Sequence, residues 1–338
     1  MLIYLSLVLS SFIFSIFEIF KENKNNVFFK IIKKGYIFIL FILFIFNRNN
    51  NDYQNYLKIF KGELQVKEKG YIFLVHILNF FKGNHNFIIL ILGILLIYTL
   101  FYLYRIKYEF CFIFLYLIYI FVFDINQIRN LFCVLFIMIG IKFLQKKKKF
   151  FYLIFNMLGS LFQSLGYVYF SFYFLQKIKL KKYIKLIAIL SILGFLMIPI
   201  FSKIMTMIIP DKATFYLLRK PRFGMILYYI FIIMDILIIK CKEKIKKEDI
   251  LLIKFVLFPA IFLPYSFLFL EIIQRVWRNA LYIKWFYLLK DLGSEKKKYF
   301  IFSLLATQQF MLIGVDFIKS KEFVISLVAQ IGNLGFYF

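Results

Sequence analysis

Acidic residues, histidines, cysteines, prolines and glycines are all scarce in this chain. Its 338 residues include 17 Asp and Glu against 44 Lys and Arg, with 2 His, 3 Cys, 5 Pro and 14 Gly. The three cysteines have no paired or metal-ligand spacing, which excludes a disulfide-stabilised secreted scaffold. The low proline and glycine content leaves no flexible linker. The charged fraction, 18%, is below the roughly 25% of soluble domains, which excludes a soluble globular enzyme.

Apolar residues take the place of what is missing. Hydrophobic residues make up 63% of the chain, and Phe alone occurs 49 times. These residues form long apolar stretches, and lysine clusters separate one stretch from the next. A helix needs about 20 apolar residues to cross a bilayer, and many of the stretches come close to that length. Such clusters anchor helices and set their orientation, so the net charge of +27 does not indicate nucleic-acid binding. The sequence predicts a polytopic membrane protein with a single integral membrane domain, residues 1–338.

The lysine clusters predict the path of the chain. A first span, Met1–Phe20, has its amino terminus outside, because the five lysines of 21–34 favour the cytoplasm. The second span ends near Phe46 and delivers a polar stretch, Asn47–Gly70, to the outer face. Tyr71–Phe81 is too short to cross, and we predict an interfacial or partly inserted helix there. Further predicted spans cover 86–104, 110–123, 128–144, 183–201, 223–239, 250–271, 276–290, 299–315 and 323–338.

One apolar stretch, Phe150–Gln176, departs from this alternation because lysine clusters flank both of its ends. Gly159, Gln163 and Gly166 lie near its middle. Two arms of about 13 residues, rising 1.5 Å per residue, reach only about 20 Å. We therefore predict a re-entrant helical pair with a polar tip in the outer half of the membrane, buried in protein or lining a wet cavity. The alternative is one long tilted helix, which would invert every later loop.

Arginine is rare enough to be informative, with 7 Arg against 37 Lys. In the predicted topology six of the seven arginines lie on the outer face, against the orientation rule. Arginine's planar fork binds phosphate with two hydrogen bonds, whereas lysine acts as a point charge. A lipid-linked pyrophosphate is the ligand that this pattern predicts, and the alternative for each arginine is an interfacial anchor. The six outer arginines are Arg48, Arg129, Arg219, Arg222, Arg275 and Arg278.

Several short motifs occur in a definite order along the chain. Asp52–Tyr56 reads Asp-Tyr-x-x-Tyr, and Glu68–Tyr71 reads Glu-x-Gly-Tyr. Arg129 opens a mid-chain span with apolar residues on both sides, where an ionisable group indicates function. The polar tip of the helical pair follows, and Arg278–Tyr282 reads Arg-x-x-x-Tyr. In this order, over most of the chain, the motifs resemble the EpsG family of Wzy-like polysaccharide polymerases.

The resemblance implies a fold, an activity and partners. The fold is an all-α polytopic membrane protein of GT-C-like architecture, with about 11 transmembrane helices and the re-entrant pair. The activity is polymerisation of oligosaccharide repeat units carried on undecaprenyl pyrophosphate, for capsule or exopolysaccharide, at the outer face of the bacterial cytoplasmic membrane. The implied partners are this lipid-linked oligosaccharide, membrane lipid, and flippase and chain-length regulator proteins.

The chemistry of that reaction selects candidate residues. A sugar hydroxyl attacks the anomeric carbon and pyrophosphate leaves, and preorganised arginines would stabilise its charge. No Asp-x-Asp pair or His/Asp cluster occurs in an outer loop, so we expect neither metal nor cofactor. The catalytic candidates are Arg129 and the carboxylates that could take the acceptor proton, which are Asp52 and Glu68 in the outer loop and Asp124 as a third. The substrate-binding candidates are Tyr53, Tyr56, Gln163, Ser164, Arg219, Arg222, Arg275, Arg278 and Tyr282. His76 and His85 have no ligand spacing, and we expect interfacial side chains.

The chain departs from the family pattern at two places. The family commonly has Arg-Gln where this chain has Arg129-Asn130, and a His before the tip serine where this chain has Gln163. Glutamine can hydrogen-bond a sugar hydroxyl but cannot move a proton near neutral pH.

Two other functions compete with the polymerase. One is another lipid-linked glycosyltransferase or ligase, which would use the same arginine clamp. The other is a lipid-linked oligosaccharide flippase or transporter, which should show inverted repeats and a charged path from both sides. Because the polar groups other than lysine concentrate on one face of the predicted topology, we favour an enzyme that works from outside.

Overall fold

The computed structural model describes residues 2–21, 27–46, 51–64, 68–104, 106–208, 224–241, 245–264, 270–290, 292 and 295–319. These ranges are helical nearly throughout and contain no strand, which confirms the predicted all-helical class. The chain divides into two compact units. Unit 1 comprises Met1–Tyr173, Leu289–Asp291 and Lys298–Phe338, and unit 2 comprises Phe174–Leu288 and Leu292–Lys297. The sequence predicts a single integral membrane domain, and the division into two compact units does not test that prediction.

Unit 1 holds most of the helices. They are α1 (Leu2–Lys21), α2 (Val27–Phe46), α3 (Asn51–Phe60), α4 (Lys69–Phe80), α5 (His85–Ile97), α6 (Glu109–Leu115), α7 (Ile128–Gln145) and α8 (Lys149–Phe162), and most of a last helix, Glu295–Lys319, which covers the span predicted at 299–315, also belongs to this unit. A π-helical stretch, Tyr98–Leu103, extends α5, and another, Tyr116–Ile120, extends α6 towards a last turn at Phe121–Asp124. The interfacial helix predicted at Tyr71–Phe81 corresponds to α4. Helix α3, which lies in the polar stretch before α4, is not predicted by hydrophobic length.

A half-buried carboxylate joins α1 to α6. The side chain of Glu18 accepts hydrogen bonds from the backbone N–H groups of Glu109 and Phe110, both 2.9 Å, and of Cys111, 3.2 Å. These are the donors that the first turn of a helix leaves without intrahelical partners, and they favour a negative charge. Lys33 pairs with Glu109 at 3.0 Å at the same end of α6. The contact fixes the end of α1 against the start of α6.

The helix α8 packs against α7 and is followed by a chain reversal. Gly159 allows close packing of α8, because a Cβ there would lie 3.0 Å from the carbonyl oxygen of Cys133 on α7. The helix ends at Phe162, Gln163 is extended, and a 3₁₀ segment, Ser164–Ser171, follows. The Tyr152 hydroxyl donates to the carbonyl of Tyr169, so the two arms run back past each other. The reversal predicted for this stretch is present, and one continuous helix over 150–176 is excluded.

Among its described residues, unit 2 contains three long helices and one short helix. They are α9 (Leu180–Ile208), α10 (Gly224–Cys241), α11 (Ile250–Leu257) and α12 (Leu270–Leu289). A buried ion pair joins α10 to α12, with Lys284 Nζ 2.9 Å from Asp235 Oδ1. Next to it the ring of Trp277 stacks on Phe231 at 5.3 Å. Both contacts hold the helix that carries Arg275 and Arg278.

Three helices among the described residues are long and apolar enough to cross a membrane: His85–Leu103, Ile128–Gln145 and Leu180–Ile200. They coincide with the spans predicted at 86–104, 128–144 and 183–201, and they fit a membrane protein. The span predicted at 250–271 is wrong as a single helix. α11 ends at Leu257, a 3₁₀ segment containing Pro259 follows, and α12 begins at Leu270. Proline lacks the N–H that a helix interior needs. The span predicted at 323–338 lies outside the described residues.

Candidate functional site

Arg129 lies in the first turn of α7 and forms an ion pair with Glu68. Its Nη1 donates to Glu68 Oε2, and the two side chains are 27% and 23% exposed. Among the described residues, no hydrogen-bond partner is found for Arg129 Nη2 or for Glu68 Oε1. The pair therefore combines two oriented charges with unused donors and an unused acceptor at a partly open position. Such groups remain available to a ligand.

Tyr56 of α3 lies under the guanidinium of Arg129. The centre of the guanidinium is 5.7 Å from the centre of the Tyr56 ring, within the range of a cation–π contact. The backbone N–H and Nε–H of Arg129 both point to the Tyr56 hydroxyl oxygen at a long 3.5 Å. The aromatic ring and the carboxylate of Glu68 together set the direction of the guanidinium. The structure thus brings together residues of three motifs that are separated in the sequence.

Gly70 explains the spacing of the Glu-x-Gly-Tyr motif. A Cβ at Gly70 would lie 2.9 Å from the backbone carbon and the Cβ of Leu161, so only glycine permits this approach of α4 to α8. Glu68 precedes α4, and Tyr71 lies in its first turn. The close contact therefore places Glu68 beside Arg129 and, at the same time, Tyr71 in the interior.

His85, at the start of α5, lies inside a group of aromatic rings. We name this group the aromatic cage, formed by Tyr53, Tyr56, Phe60 and Tyr71. The ring centres of Tyr53, Phe60 and Tyr56 are 5.2, 6.0 and 6.4 Å from that of His85. His85 is 2% exposed, so the interfacial position expected from the sequence is wrong for this residue. His76 is exposed.

The hydroxyl of Tyr71 connects the aromatic cage to His85. It lies 3.0 Å from His85 Nε2, and the Tyr71 ring centre is 5.3 Å from that of Tyr56. Tyr71 is fully buried, and this burial raises the pKa of its phenol, which therefore keeps its proton at neutral pH. The proton can then be donated to Nε2, which would place the ring proton of a neutral imidazole on Nδ1. His85 Nδ1 is buried and has no hydrogen-bond partner among the described residues.

The tip of the α8 reversal lies against α7 close to Arg129. Phe162 stacks on Phe132 at 4.6 Å, and Cys133 Sγ lies 3.8 Å from the carbonyl oxygen of Gln163. Cys133 is one helical turn after Arg129 on α7. Gln163 is half-buried and Ser164 is exposed. Of the predicted substrate-binding residues, the structure therefore gathers Gln163 with Tyr53 and Tyr56 in the neighbourhood of Arg129.

Tyr53 and Tyr56 are 8% and 6% exposed. Their rings face His85 and, for Tyr56, also Arg129. The hydroxyl of Tyr53 donates to Asn86 Oδ1 at 3.1 Å. These contacts give both rings a role inside the protein, and their stacking on sugar rings stays a prediction.

The remaining predicted residues lie elsewhere or outside the described part of the chain. Asp52 belongs to α3, one helical turn before Tyr56. Arg275, Arg278 and Tyr282 lie on α12 of unit 2, where Arg278 and Tyr282 are buried and Arg275 is half-buried. Arg278 Nε approaches the carbonyl of Gln274 at 3.4 Å. Arg48, Arg219 and Arg222 lie outside the described residues, so their predicted roles stay predictions.

His85 is the residue of this site that the sequence analysis misses. Its hydrogen-bond partner Tyr71 is in another helix, and no spacing rule joins an aromatic residue to a histidine fourteen positions later. The chain has only 2 histidines, and this scarcity is the one feature of the sequence that could have drawn attention to His85.

Comparison with known proteins identifies the family. No curated protein matches the chain, and no solved structure matches it. A family model described as the EpsG family matches residues 35–328. This range includes Tyr53, Glu68, His85, Arg129, Gln163 and Arg278. With the match extending over most of its length, the chain belongs to the EpsG family, which is related to Wzy-like polysaccharide polymerases.

Proposed function

We propose that this protein is a membrane-embedded glycosyltransferase that polymerises oligosaccharide repeat units carried on undecaprenyl pyrophosphate. The reaction takes place at the outer face of the bacterial cytoplasmic membrane, in capsule or exopolysaccharide biosynthesis. The observation that carries the proposal is the Arg129–Glu68 ion pair on the ring of Tyr56. In this contact, residues from three separate motifs meet at the guanidinium of Arg129, a group that binds phosphate well. The chain belongs to the EpsG family.

Arg129 binds the pyrophosphate of the donor lipid. Its guanidinium has five N–H donors, of which the described contacts use the Nη1 group towards Glu68 and, at long range, Nε towards Tyr56. The donors of Nη2 and the second proton of Nη1 are left for two parallel hydrogen bonds to phosphate oxygens. As the bond to the anomeric carbon breaks, charge grows on the pyrophosphate, and a guanidinium already held in place stabilises it without reorganisation. The cationic group that counters this charge is an arginine, and the proposed transfer is metal-independent.

Glu68 orients Arg129 in this proposal. The acceptor hydroxyl attacks the anomeric carbon on the face opposite to the leaving pyrophosphate in an inverting transfer. In inverting glycosidases the two carboxyl groups that serve the two faces lie about 6.5–9.5 Å apart. Glu68 is in direct contact with the pyrophosphate-binding Arg129 and so serves the leaving-group side. Asp52 on α3 remains the candidate that takes the acceptor proton.

The tip of the α8 reversal supplies the sugar-binding side of the site. Gln163 and Ser164 carry amide and hydroxyl groups that suit sugar hydroxyls, and Gln163 lies against α7 near Arg129. Arg275, Arg278 and Tyr282 of unit 2, together with Arg219 and Arg222, are proposed to bind the second lipid-linked chain. The proposed architecture is GT-C-like with about 11 spans, and flippase and chain-length regulator proteins are the proposed partners.

The test compares Arg129→Lys with Lys69→Gln in cells that produce the polymer. Lysine keeps the positive charge at 129 but loses the fork, so we expect polymer to fall by about 10-fold or more. Lipid-linked single repeat units should accumulate. Lys69 is exposed and adjacent to Glu68, and its substitution should leave the polymer unchanged. Polymer length on gels and extraction of lipid-linked sugars provide the two measurements.

The location of the accumulated units separates a polymerase from a flippase. Periodate oxidises vicinal diols of sugars and crosses membranes poorly, so it can be applied to intact spheroplasts of the Arg129→Lys strain. A polymerase defect leaves the units on the outer face, where periodate modifies them. Units protected until the membrane is permeabilised would identify a transport defect and overturn the proposal. Normal polymer in the lysine variant would show that charge alone is needed at position 129.

A further inference from the structure

We infer that His85 is a positioning residue of the polymerase site, a polar group kept in an apolar interior to hold Tyr71 and, through it, the Arg129–Glu68 pair. The inference rests on the proposed function of that pair. It assigns a role to a residue that does not itself touch the substrate, since His85 is 2% exposed and Tyr71 is fully buried.

The surroundings of His85 suit an apolar side chain better than an imidazole. The aromatic cage surrounds the ring with Tyr53, Tyr56 and Phe60 at 5.2 to 6.4 Å between ring centres. One nitrogen has a partner in the Tyr71 hydroxyl, and the other, Nδ1, is buried without one among the described residues. A buried polar atom without a hydrogen bond costs free energy of folding. A histidine at this place therefore needs an explanation other than stability.

The link from His85 to Arg129 runs through α4. Tyr71 and Glu68 are three residues apart, at the start of that helix, so a shift of Tyr71 moves Glu68 with it. Gly70 seats the same turn directly on the backbone of Leu161, which leaves α4 little freedom to compensate. The ring of Tyr71 also contacts Tyr56, on which the guanidinium of Arg129 lies. The hydrogen bond at His85 thus fixes both supports of Arg129, the carboxylate and the aromatic ring.

The experiment replaces the polar pair by two apolar rings. In the double variant His85→Phe/Tyr71→Phe neither position holds a buried polar atom, so we expect the thermal unfolding midpoint of the purified full chain to rise or stay equal. Binding of undecaprenyl pyrophosphate in detergent should weaken about 10-fold, because one phosphate-binding side chain loses its orientation. Polymer in cells should fall in parallel. A protein that becomes no less stable and yet binds and polymerises less is the signature of positioning.

Conservative variants complete the test. His85→Gln keeps an amide that can hydrogen-bond Tyr71, and it should retain most of the binding, whereas the single variant Tyr71→Phe should lose it. His76→Gln is the matched control at the other histidine, which is exposed, and it should behave as the unaltered protein. If the double variant loses stability and His85→Gln does not restore binding, His85 is a packing residue and the inference is overturned.

The same binding assay separates this inference from the proposed function. If Arg129→Lys weakens binding of undecaprenyl pyrophosphate while the double variant binds normally, the clamp stands and the role of His85 fails. If Arg129→Lys itself binds normally and makes normal polymer, the proposed clamp fails first. The inference for His85 then fails with it.

Discussion

A carboxylate that touches an arginine has different chemistry from one that faces solvent, and Glu68 belongs to the first kind. Its Oε2 accepts from Arg129 Nη1, and its side chain is 23% exposed. A group in this position can orient the guanidinium before the ligand arrives, which spares the reorganisation that a mobile arginine would need. The two roles open to Glu68, orienting and proton transfer, respond differently to the loss of its charge.

We predict that Glu68→Gln retains much of the polymerising activity. The amide oxygen still accepts a hydrogen bond from Arg129, so we expect a loss of roughly 10-fold or less. A general base would lose about 10²- to 10⁴-fold. Polymer yield against expression level is the measurement, and Glu63→Gln, an exposed residue of the same loop, is the control. A loss in Glu68→Gln as large as that in Glu68→Ala would assign the acceptor proton to Glu68.

At the residue scale the sequence predicts the members of the site better than their contacts. Arg129, Glu68 and Tyr56 are candidates from three separate motifs, and the structure brings them into contact, while their functional roles stay predictions. Arginine was informative because lysine is the default cation of this chain. His85 was not predictable, since its meaning depends on burial and on Tyr71, and neither can be inferred from its sequence neighbours.

At the scale of elements, glycines set the distances between the helices that build the site. Gly70 lets α4 lie on α8, and Gly159 lets α8 lie on α7. The functional groups then follow from their positions on these helices: Glu68 ahead of α4, Arg129 at the start of α7, and Gln163 at the end of α8. The site depends on backbone approach as much as on its charged side chains.

We predict that Gly70→Ala disrupts the site without touching a charge. The added Cβ would lie 2.9 Å from the backbone of Leu161, so α4 must move, at a cost of about 1–3 kcal/mol in stability. The unfolding midpoint and the polymer yield should both fall. Gly35→Ala on α2 is the control, because a Cβ there has nothing within 4 Å and should leave stability equal or slightly higher. Normal polymer in Gly70→Ala would mean that α4 tolerates the shift.

Hydrophobic length predicts the long helices and fails where the chain is irregular. The spans at 86–104, 128–144 and 183–201 correspond to helices of crossing length. The stretch 250–271 is just as apolar, but a 3₁₀ segment with Pro259 divides it. Helix α3 lies in a polar stretch of the sequence, and its residues are too polar to predict a membrane-spanning helix. Hydropathy identifies the segments that are apolar enough to lie in lipid. The positions at which a helix is interrupted, and the short polar helices, depend instead on local backbone chemistry and on packing.

At the scale of the whole molecule, the predicted orientation of every later segment depends on whether the chain turns back at Gln163. The contact of Tyr152 with Tyr169 and the close approach of Gly166 to Ser160 show that the chain turns back within the stretch 150–176. A stretch that turns back returns to the side from which it entered. The turn therefore supports the predicted re-entrant pair, and the placement of both lysine-rich flanks on one side stays a prediction from the orientation rule for basic residues.

We predict that both flanks of this stretch are cytoplasmic. Single cysteines at Lys148 and Lys181, in a background in which Cys111, Cys133 and Cys241 are replaced, should resist an impermeant thiol reagent applied to intact cells. A cysteine at Lys61, an exposed position after α3, should react and serves as the control. Labelling of Lys181 without Lys148 would mean that the chain crosses the membrane here. Arg275 and Arg278 would then move to the cytoplasmic side, where they could not bind the substrate of an enzyme that works at the outer face.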